Sequence, residues 1–162
     1  MKKTILILSI LLLTTSVLFS QTIESKIREF AGWEYPNDTE MQNYIYNQQI
    51  SAYRFMQTVT DSEVKQIAVR EYPNDYSMQK YIYNNQLTAK NYMKTVTDRE
   101  VKQIAIREYP NDYPMQKYIY NNQLAAKNYM KSVTNRTAKA KAQREYPNDY
   151  SMQKYIYDNL VY

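Results

Sequence analysis

Tyrosine and lysine are the residue types in this sequence whose repetition could form a binding surface. Of the 162 residues, 19 are tyrosine, and many of them recur at a fixed spacing together with lysine. Aromatic rings offer flat surfaces for stacking, and lysines bind anionic groups. The same side of the long helices in three successive repeats would gather twelve such residues. They are the Tyr/Lys ladder: Tyr76, Lys80, Tyr83, Lys90, Lys94, Tyr113, Lys117, Tyr120, Lys127, Lys131, Lys154 and Tyr157.

Two explanations of this ladder are open from the sequence. The helices could be packed on both sides, in which case the ladder tyrosines are core residues. Alternatively, the ladder is exposed and binds an extended partner, with rings for stacking and lysines for anions. We prefer the packed interpretation. The first repeat has Asn43 and Tyr53 where lysines stand later in the chain, so a cationic function would exclude that repeat.

Composition excludes most catalytic chemistry. The chain has no histidine, no cysteine and one glycine. It therefore lacks the usual general base, the activated thiol, most transition-metal ligands and a phosphate-binding glycine loop. Its aspartates stand mostly at expected helix starts, where capping explains them. We therefore expect a non-catalytic protein with no metal site and no cofactor.

A repeat of 37 residues must position the ladder. The motif Glu-Tyr-Pro-Asn-Asp begins at residues 34, 71, 108 and 145, and the sequence that follows it is looser in the first repeat. A period of this size is typical of tandem helical arrays. The sequence predicts an all-α fold of helical-hairpin repeats. They could stack as a small α-solenoid or close into a bundle.

Each repeat is expected to hold one long and one short helix. The long helix, of about 20 residues, follows the Pro-Asn-Asp corner, where Asn74 or Asp75 can cap it. The short helix, of about ten residues, begins at a Thr97-x-x-Glu100 capping box. Connections this short make neighbouring helices antiparallel.

An apolar stripe on the long helix predicts its buried side. The stripe includes Asn85, and Gln48, Asn122 and Asn159 take the matching places in the other repeats. We interpret these amides as partners of buried hydroxyl groups, the alternative being a row that binds a ligand. The full stripe is Met78, Tyr81, Ile82, Asn85, Ala89, Tyr92, Met93 and Val96.

The N-terminus has the pattern of an export signal. Lys2 and Lys3 precede an apolar run at residues 5–19, which is short for a membrane-spanning helix. We expect cleavage after Ser20, an uncleaved anchor being the alternative. The expected domains are a signal peptide at 1–20 and one helical-repeat domain at 21–162. That domain comprises a short helix at 22–33, repeats that start at 34, 71 and 108, and a truncated repeat at 145–162.

Net charge bears on the class of partner. Removal of residues 1–20 takes Lys2 and Lys3, which leaves 19 basic and 16 acidic side chains and a net charge of +3. This low charge weighs against nucleic acid.

The functional hypothesis is an exported protein, periplasmic or secreted, that acts as a protein–protein interaction module of the cell envelope. The alternative is a binder of an anionic or glycan polymer through the Tyr/Lys ladder. Membrane contact is expected only through an uncleaved signal segment.

Overall fold

The described part of the chain consists of helices joined by short connections. A computed structural model describes residues 23–161, and in that range eight helices and no strand are present. The all-α fold class is thereby confirmed. The expected export signal and its cleavage site lie outside the described residues.

Long and short helices alternate along the chain. The long helices α2, α4 and α6 have 20 residues each and the short helices α3, α5 and α7 have ten, which agrees with the lengths expected from the sequence. The bounds are: α1 at 23–34, α2 Thr39–Thr58, α3 Ser62–Glu71, α4 Tyr76–Thr95, α5 Arg99–Glu108, α6 Tyr113–Ser132, α7 Arg136–Glu145 and α8 Tyr150–Val161.

The helices form two compact units, residues 23–81 and 82–161 in the described part, and α4 contains the boundary. In the second unit α6 packs against α5 and α8, and α7 packs against α8. In the first unit α2 meets the start of α4, where the rings of Tyr53 and Tyr76 lie edge to face with centroids 5.1 Å apart. The single domain expected at 21–162 stays a prediction.

Aspartate caps the helices at both kinds of start. At the long helix α4, Asp75 Oδ1 accepts a hydrogen bond of 3.0 Å from the backbone N–H of Met78. At the short helix α5, Asp98 Oδ1 accepts one of 3.1 Å from Val101. The expected capping box with Thr97 as the cap is therefore wrong by one residue. A carboxylate accepts a hydrogen bond more strongly than a hydroxyl does, so the aspartate takes the cap position.

The buried side of the long helices differs from the expected apolar stripe. Tyr83 is 3% exposed, whereas Tyr81, two residues earlier, is 61% exposed, and Asn85 is exposed as well. The stripe prediction is wrong for Tyr81 and Asn85, because hydrophobic periodicity does not count glutamine as a core residue. The buried side of α4 and α6 consists of Gln79, Tyr83, Gln86, Ala89 and Met93, and of Gln116, Tyr120, Gln123, Ala126 and Met130.

Buried glutamines cap the neighbouring long helix. Gln123 Oε1 accepts hydrogen bonds from the backbone N–H groups of Tyr150 (2.7 Å) and Ser151 (3.2 Å). Its Nε2 donates to Asp149 Oδ1 at 2.9 Å. The first N–H groups of a helix have no partner within that helix. Gln123 of α6 thus supplies the missing acceptor for the start of α8.

The first unit repeats this arrangement with other residues. Gln49 Oε1 accepts from the backbone N–H groups of Tyr76 (2.7 Å) and Ser77 (3.2 Å), and its Nε2 donates to Asp75 at 2.8 Å. We name this contact, made by Gln49 and Gln123, the glutamine cap. The glutamine cap consequently fixes the position of each capped helix along the axis of the helix that supplies the glutamine.

A second set of glutamines closes the corner before each long helix. In the first turn of α8, Gln153 Nε2 donates to the carbonyl oxygen of Tyr146 at 2.7 Å. Gln116 makes the same bond to Tyr109 at 2.6 Å. These carbonyls belong to the residues that end the short helices, whose last carbonyls also lack helical partners. Glutamine therefore satisfies both sides of the Tyr-Pro-Asn-Asp corners at 72–75, 109–112 and 146–149.

Buried tyrosines of the ladder hold the starts of the short helices. Tyr120 of α6 accepts a hydrogen bond of 3.3 Å at its hydroxyl oxygen from the backbone N–H of Asp98. Its ring packs edge to face on Tyr92, with centroids 6.4 Å apart. Tyr157 of α8 accepts likewise from Asn135, the cap of α7, at 3.3 Å. These ladder residues are core residues, as the packed interpretation expects.

Replacement of Tyr120 by alanine should destabilise the protein by about 3–5 kcal/mol, because it removes a large buried ring and the acceptor for Asp98 N–H. The matched control is Tyr118→Ala on the outer side of the same helix, which should change stability by no more than about 0.5 kcal/mol. Urea unfolding followed by circular dichroism measures both. Equal losses for the two variants would contradict this assignment of inner and outer sides.

Loss of a glutamine cap should also be measurable. Gln123→Met keeps much of the side-chain volume but leaves buried N–H groups at the start of α8 without their acceptor. The expected loss is about 1–3 kcal/mol in urea unfolding. Gln143→Met, at an exposed position of α7, is the control and should be nearly neutral. A Gln123→Met protein as stable as its parent would show that the cap contributes little.

Candidate functional site

The Tyr/Lys ladder does not form a free surface. Three of its tyrosines, Tyr83, Tyr120 and Tyr157, are buried, and the exposed ladder residues are Lys94 and Lys131. The remaining members are half-buried: Tyr76, Lys80, Lys90, Tyr113, Lys117, Lys127 and Lys154.

The half-buried lysines lie over aromatic rings of neighbouring helices. Ammonium groups within about 6 Å of a ring centroid are attracted to the ring face. The ladder's cations and rings therefore contact one another and hold helices together. The distances from Nζ to centroid are 5.1 Å for Lys80 and Phe55, 5.3 Å for Lys90 and Tyr113, 4.9 Å for Lys117 and Tyr92, 5.1 Å for Lys127 and Tyr150, and 4.7 Å for Lys154 and Tyr129.

Lys127 is also neutralised by two carboxylates. Its Nζ lies 2.9 Å from Asp98 Oδ2 and 2.7 Å from Glu100 Oε2. The hydroxyl of Tyr150 donates to the other oxygen of Glu100 at 2.6 Å. The hydrogen bonds from Lys127 and Tyr150 lower the pKa of Glu100. This cluster ties α5, α6 and α8 together and leaves Lys127 without a free charge for an anionic ligand.

Burial and hydrogen bonding act in opposite directions in this cluster. Partial burial by itself would raise the pKa of Asp98, but the hydrogen bonds from Lys127 and from Val101 N–H outweigh it, and the pKa is lowered. For Lys127, burial works to lower the pKa, and the bonds to Glu100 and Asp98 raise it above its ordinary value. The ion pairs thus keep all three groups charged at neutral pH.

A different set of tyrosines is exposed. Tyr44, Tyr81, Tyr118 and Tyr155 occupy equivalent places on α2, α4, α6 and α8 and are 55–61% exposed. Side chains with amide or hydroxyl groups follow them on the same helical side. Each unit carries a surface of this kind, which we name the tyrosine–amide face. In the first unit Arg54 stands at the place that Asn91 and Asn128 occupy in the second. The other exposed residues of the face are Tyr44, Asn47, Gln48, Ser51 and Tyr81 in the first unit, and Asn84, Asn85, Thr88, Asn91, Tyr118, Asn121, Asn122, Asn128, Tyr155 and Asn159 in the second.

Exposed charge is sparse on the part of this face in the second unit, where the nearest exposed cation, Lys94, donates a hydrogen bond of 3.3 Å to Asn91 Oδ1. From Tyr81 to Asn91 in α4 and from Tyr118 to Asn128 in α6, every exposed side chain is uncharged. The short helices α5 and α7 differ, because most of their exposed residues are ionised. In α5 these are Arg99, Glu100, Arg107 and Glu108, and in α7 they are Arg136, Lys141, Arg144 and Glu145.

A shallow groove runs beside the exposed tyrosines in each unit. The second unit has a groove of about 320 Å³ and the first unit one of about 490 Å³. Gln48 Nε2 donates to the hydroxyl of Tyr44 at 2.6 Å, which holds amide and ring together at the edge of the first groove. The linings are Asn85, Thr88, Ala89, Pro114, Lys117, Tyr118 and Asn121 in the second unit, and Tyr44, Asn47, Gln48, Ser51, Ala52, Ser77 and Lys80 in the first.

Sequence reasoning missed this face because it assigned Tyr81 to the core. A signal was nevertheless present: residues at helical spacing after Tyr81 are Asn84, Asn85, Thr88 and Asn91, all polar. After Tyr83 the corresponding spacing includes Met93. A comparison of these two sides would have placed Tyr81 outside and Tyr83 inside.

Other kinds of site are not found in the described range. Residues 23–161 contain no group of three or more acidic side chains arranged to hold a metal ion. None of the helices described is long and apolar enough to cross a membrane. Comparisons of the chain with protein-family models, with curated proteins and with solved structures found no match.

Removal of the Lys127 ammonium should change the response to pH. The pKa of Asp98 and of Glu100 is lowered by folding, so their stabilisation is present above their unfolded pKa and is lost as pH falls through the folded value. In Lys127→Met both pKa values should rise. Stability at neutral pH should fall by up to about 1 kcal/mol, and the further loss on acidification should shrink.

Carboxylate NMR titration and urea unfolding at neutral and acidic pH measure these two effects. Lys94→Met is the control, since Lys94 is exposed and is hydrogen-bonded to Asn91 rather than to Asp98 or Glu100. It should leave the pKa of Asp98 and the stability nearly unchanged. Unaltered titration of Asp98 and Glu100 in Lys127→Met would mean that the ion pairs do not set their pKa values.

Proposed function

We propose that the protein is an exported, non-catalytic interaction module that binds an extended partner through the tyrosine–amide face. The observation that supports this most directly is the recurrence of an exposed tyrosine at the same place on α2, α4, α6 and α8. An extended partner can meet equivalent residues on neighbouring helices. Export follows from the lysine head and apolar run at the N-terminus.

Exposed tyrosines are suited to recognition. Each ring brings a large amphipathic area with few rotatable bonds, and tyrosine is enriched at binding surfaces and among residues that dominate binding energy. On α6 the buried ring is that of Tyr120, so the exposed ring of Tyr118 is accessible to a partner. The grooves beside Tyr44 and Tyr118 add concave surface next to the rings.

Binding by charge has weaker support. Most lysines of the Tyr/Lys ladder lie over rings, and Lys127 and Lys154 are paired with carboxylates. Lys94 and Lys131, at the ends of α4 and α6, are the exposed ladder cations. The extended partner can therefore be a protein or a polymer, but its binding should depend little on salt, because screened charges contribute little to it.

Binding to envelope material of the producing cell tests this function. The mature protein, labelled with a fluorophore, should sediment with purified envelopes at low and at high salt. The double variant Tyr118→Ala, Tyr155→Ala should bind at least about tenfold more weakly, a change that corresponds to about 1.4 kcal/mol. Both alanines lie at exposed helical positions, where folding should be preserved.

The matched control replaces exposed tyrosines outside the face. Tyr109→Ala with Tyr146→Ala removes two rings of the corners, each 36–37% exposed, and should bind as the parent does. Circular dichroism confirms that all proteins are folded. Equal binding by the face variant and the parent would reject the tyrosine–amide face as the binding surface.

A further inference from the structure

We propose that the ligand of the tyrosine–amide face is an uncharged polysaccharide. The inference rests on the proposed function and names the chemical class of the extended partner. Its basis is the combination of charge, hydrogen-bonding groups and rings on the exposed side of α4, α6 and α8.

Charge comes first. Over the stretch from Tyr118 to Asn128 the exposed side chains of α6 carry no charge, and the same holds from Tyr81 to Asn91 in α4. The short helices of the same chain expose arginine, lysine and glutamate. Lys80 and Lys117 line the grooves, but their ammonium groups lie over the rings of Phe55 and Tyr92, so the surface offers few free cations to a sulfated or carboxylated polymer. An uncharged ligand is complementary to it.

Hydrogen-bonding capacity is the second argument. Each asparagine amide has two donor hydrogens and an acceptor oxygen, so it can serve a hydroxyl group that both donates and accepts. Paired asparagines occur on two helices, Asn84 with Asn85 and Asn121 with Asn122, and all four are exposed. Such a density of amides suits a ligand that presents many hydroxyl groups, as a sugar chain does.

The apolar part of the face distinguishes a sugar from a protein. The centre of a protein interface is built from aliphatic and aromatic side chains in a desolvated patch. Over the same stretches of α4 and α6 the exposed side chains are Tyr, Asn, Thr and Ala, with no large aliphatic residue. Isolated rings such as Tyr118, 58% exposed, offer a flat face to the C–H side of a sugar ring.

Repetition favours a polymer. Both units contain a groove with equivalent linings, where Gln48 and Lys80 in the first unit correspond to Asn85 and Lys117 in the second. In the second unit α6 packs against α8, and packed helices lie about 8–10 Å apart, so equivalent groups on these two helices recur at about that interval. A linear chain of identical sugars presents its own groups at regular intervals. Several weak contacts on one chain would then add by avidity.

Affinity electrophoresis tests the ligand class. The mature protein is run in native gels that contain hydroxyethyl cellulose, dextran, galactomannan or mannan, and in parallel gels with alginate or heparin. We expect at least one uncharged polysaccharide to retard the protein, equally at low and high salt. Tyr118→Ala and Asn122→Ala should each weaken this retardation several-fold. Tyr109→Ala, outside the face, should migrate as the parent protein does.

Envelope binding separates this inference from the proposed function. Envelopes digested with protease should keep their capacity for the protein, and the soluble polysaccharide that retards it should compete. If protease treatment abolishes binding to the envelopes while the face variant still binds intact envelopes poorly, the polysaccharide inference is wrong. The tyrosine–amide face would then still be the binding surface. Retardation by alginate or heparin alone, abolished by salt, would overturn both. So would the absence of binding to every uncharged polysaccharide and to intact and digested envelopes.

Discussion

The glutamine cap is the contact on which the packing of the long helices depends. A helix start carries N–H groups that its own backbone cannot satisfy, and an unsatisfied buried N–H costs about 1–3 kcal/mol. Gln49 and Gln123 satisfy these groups from the neighbouring long helix, and Gln79 and Gln153 bind the carbonyl just before the corner. Both bonds form only at one position of a helix along the axis of its neighbour, so a shift along that axis would break them. Hydrophobic contact alone does not impose that restriction.

The choice of glutamine for the buried side determines what the other sides contain. With Gln116 and Gln123 in the core, apolar area must come from the residues between and beyond them, and Tyr120 supplies it together with a hydroxyl that reaches Asp98. The flanks of the helix then carry lysines that lie over tyrosine rings, such as Lys117 over Tyr92. Amides and single tyrosines remain for the outside, and this remainder is the tyrosine–amide face.

Fold class and helix lengths were predictable from the sequence, and helix starts to within one residue, because prolines and aspartates act locally. The side of the long helix that is buried was not predictable in this way. Tyr81 and Tyr83 are the same residue type two positions apart, and only their partners decide that the first is exposed and the second buried. Hydropathy scores treat glutamine as a surface residue, so the predicted buried side was centred on Met78 and Ile82 rather than on the glutamines. The missed signal was the polar run after Tyr81, which marks the exposed side.

Segregation of charge gives the two sides of the chain different tasks. The exposed arginines, lysines and glutamates of the short helices keep the molecule hydrated and soluble. The long helices expose few charged residues between their ends, so most of their exposed side consists of amides and rings. The half-buried Lys127 follows the same pattern, since its ammonium group pairs with Asp98 and Glu100 and thereby joins helices of the second unit. The proposed binding to the tyrosine–amide face should accordingly be weakened little by salt.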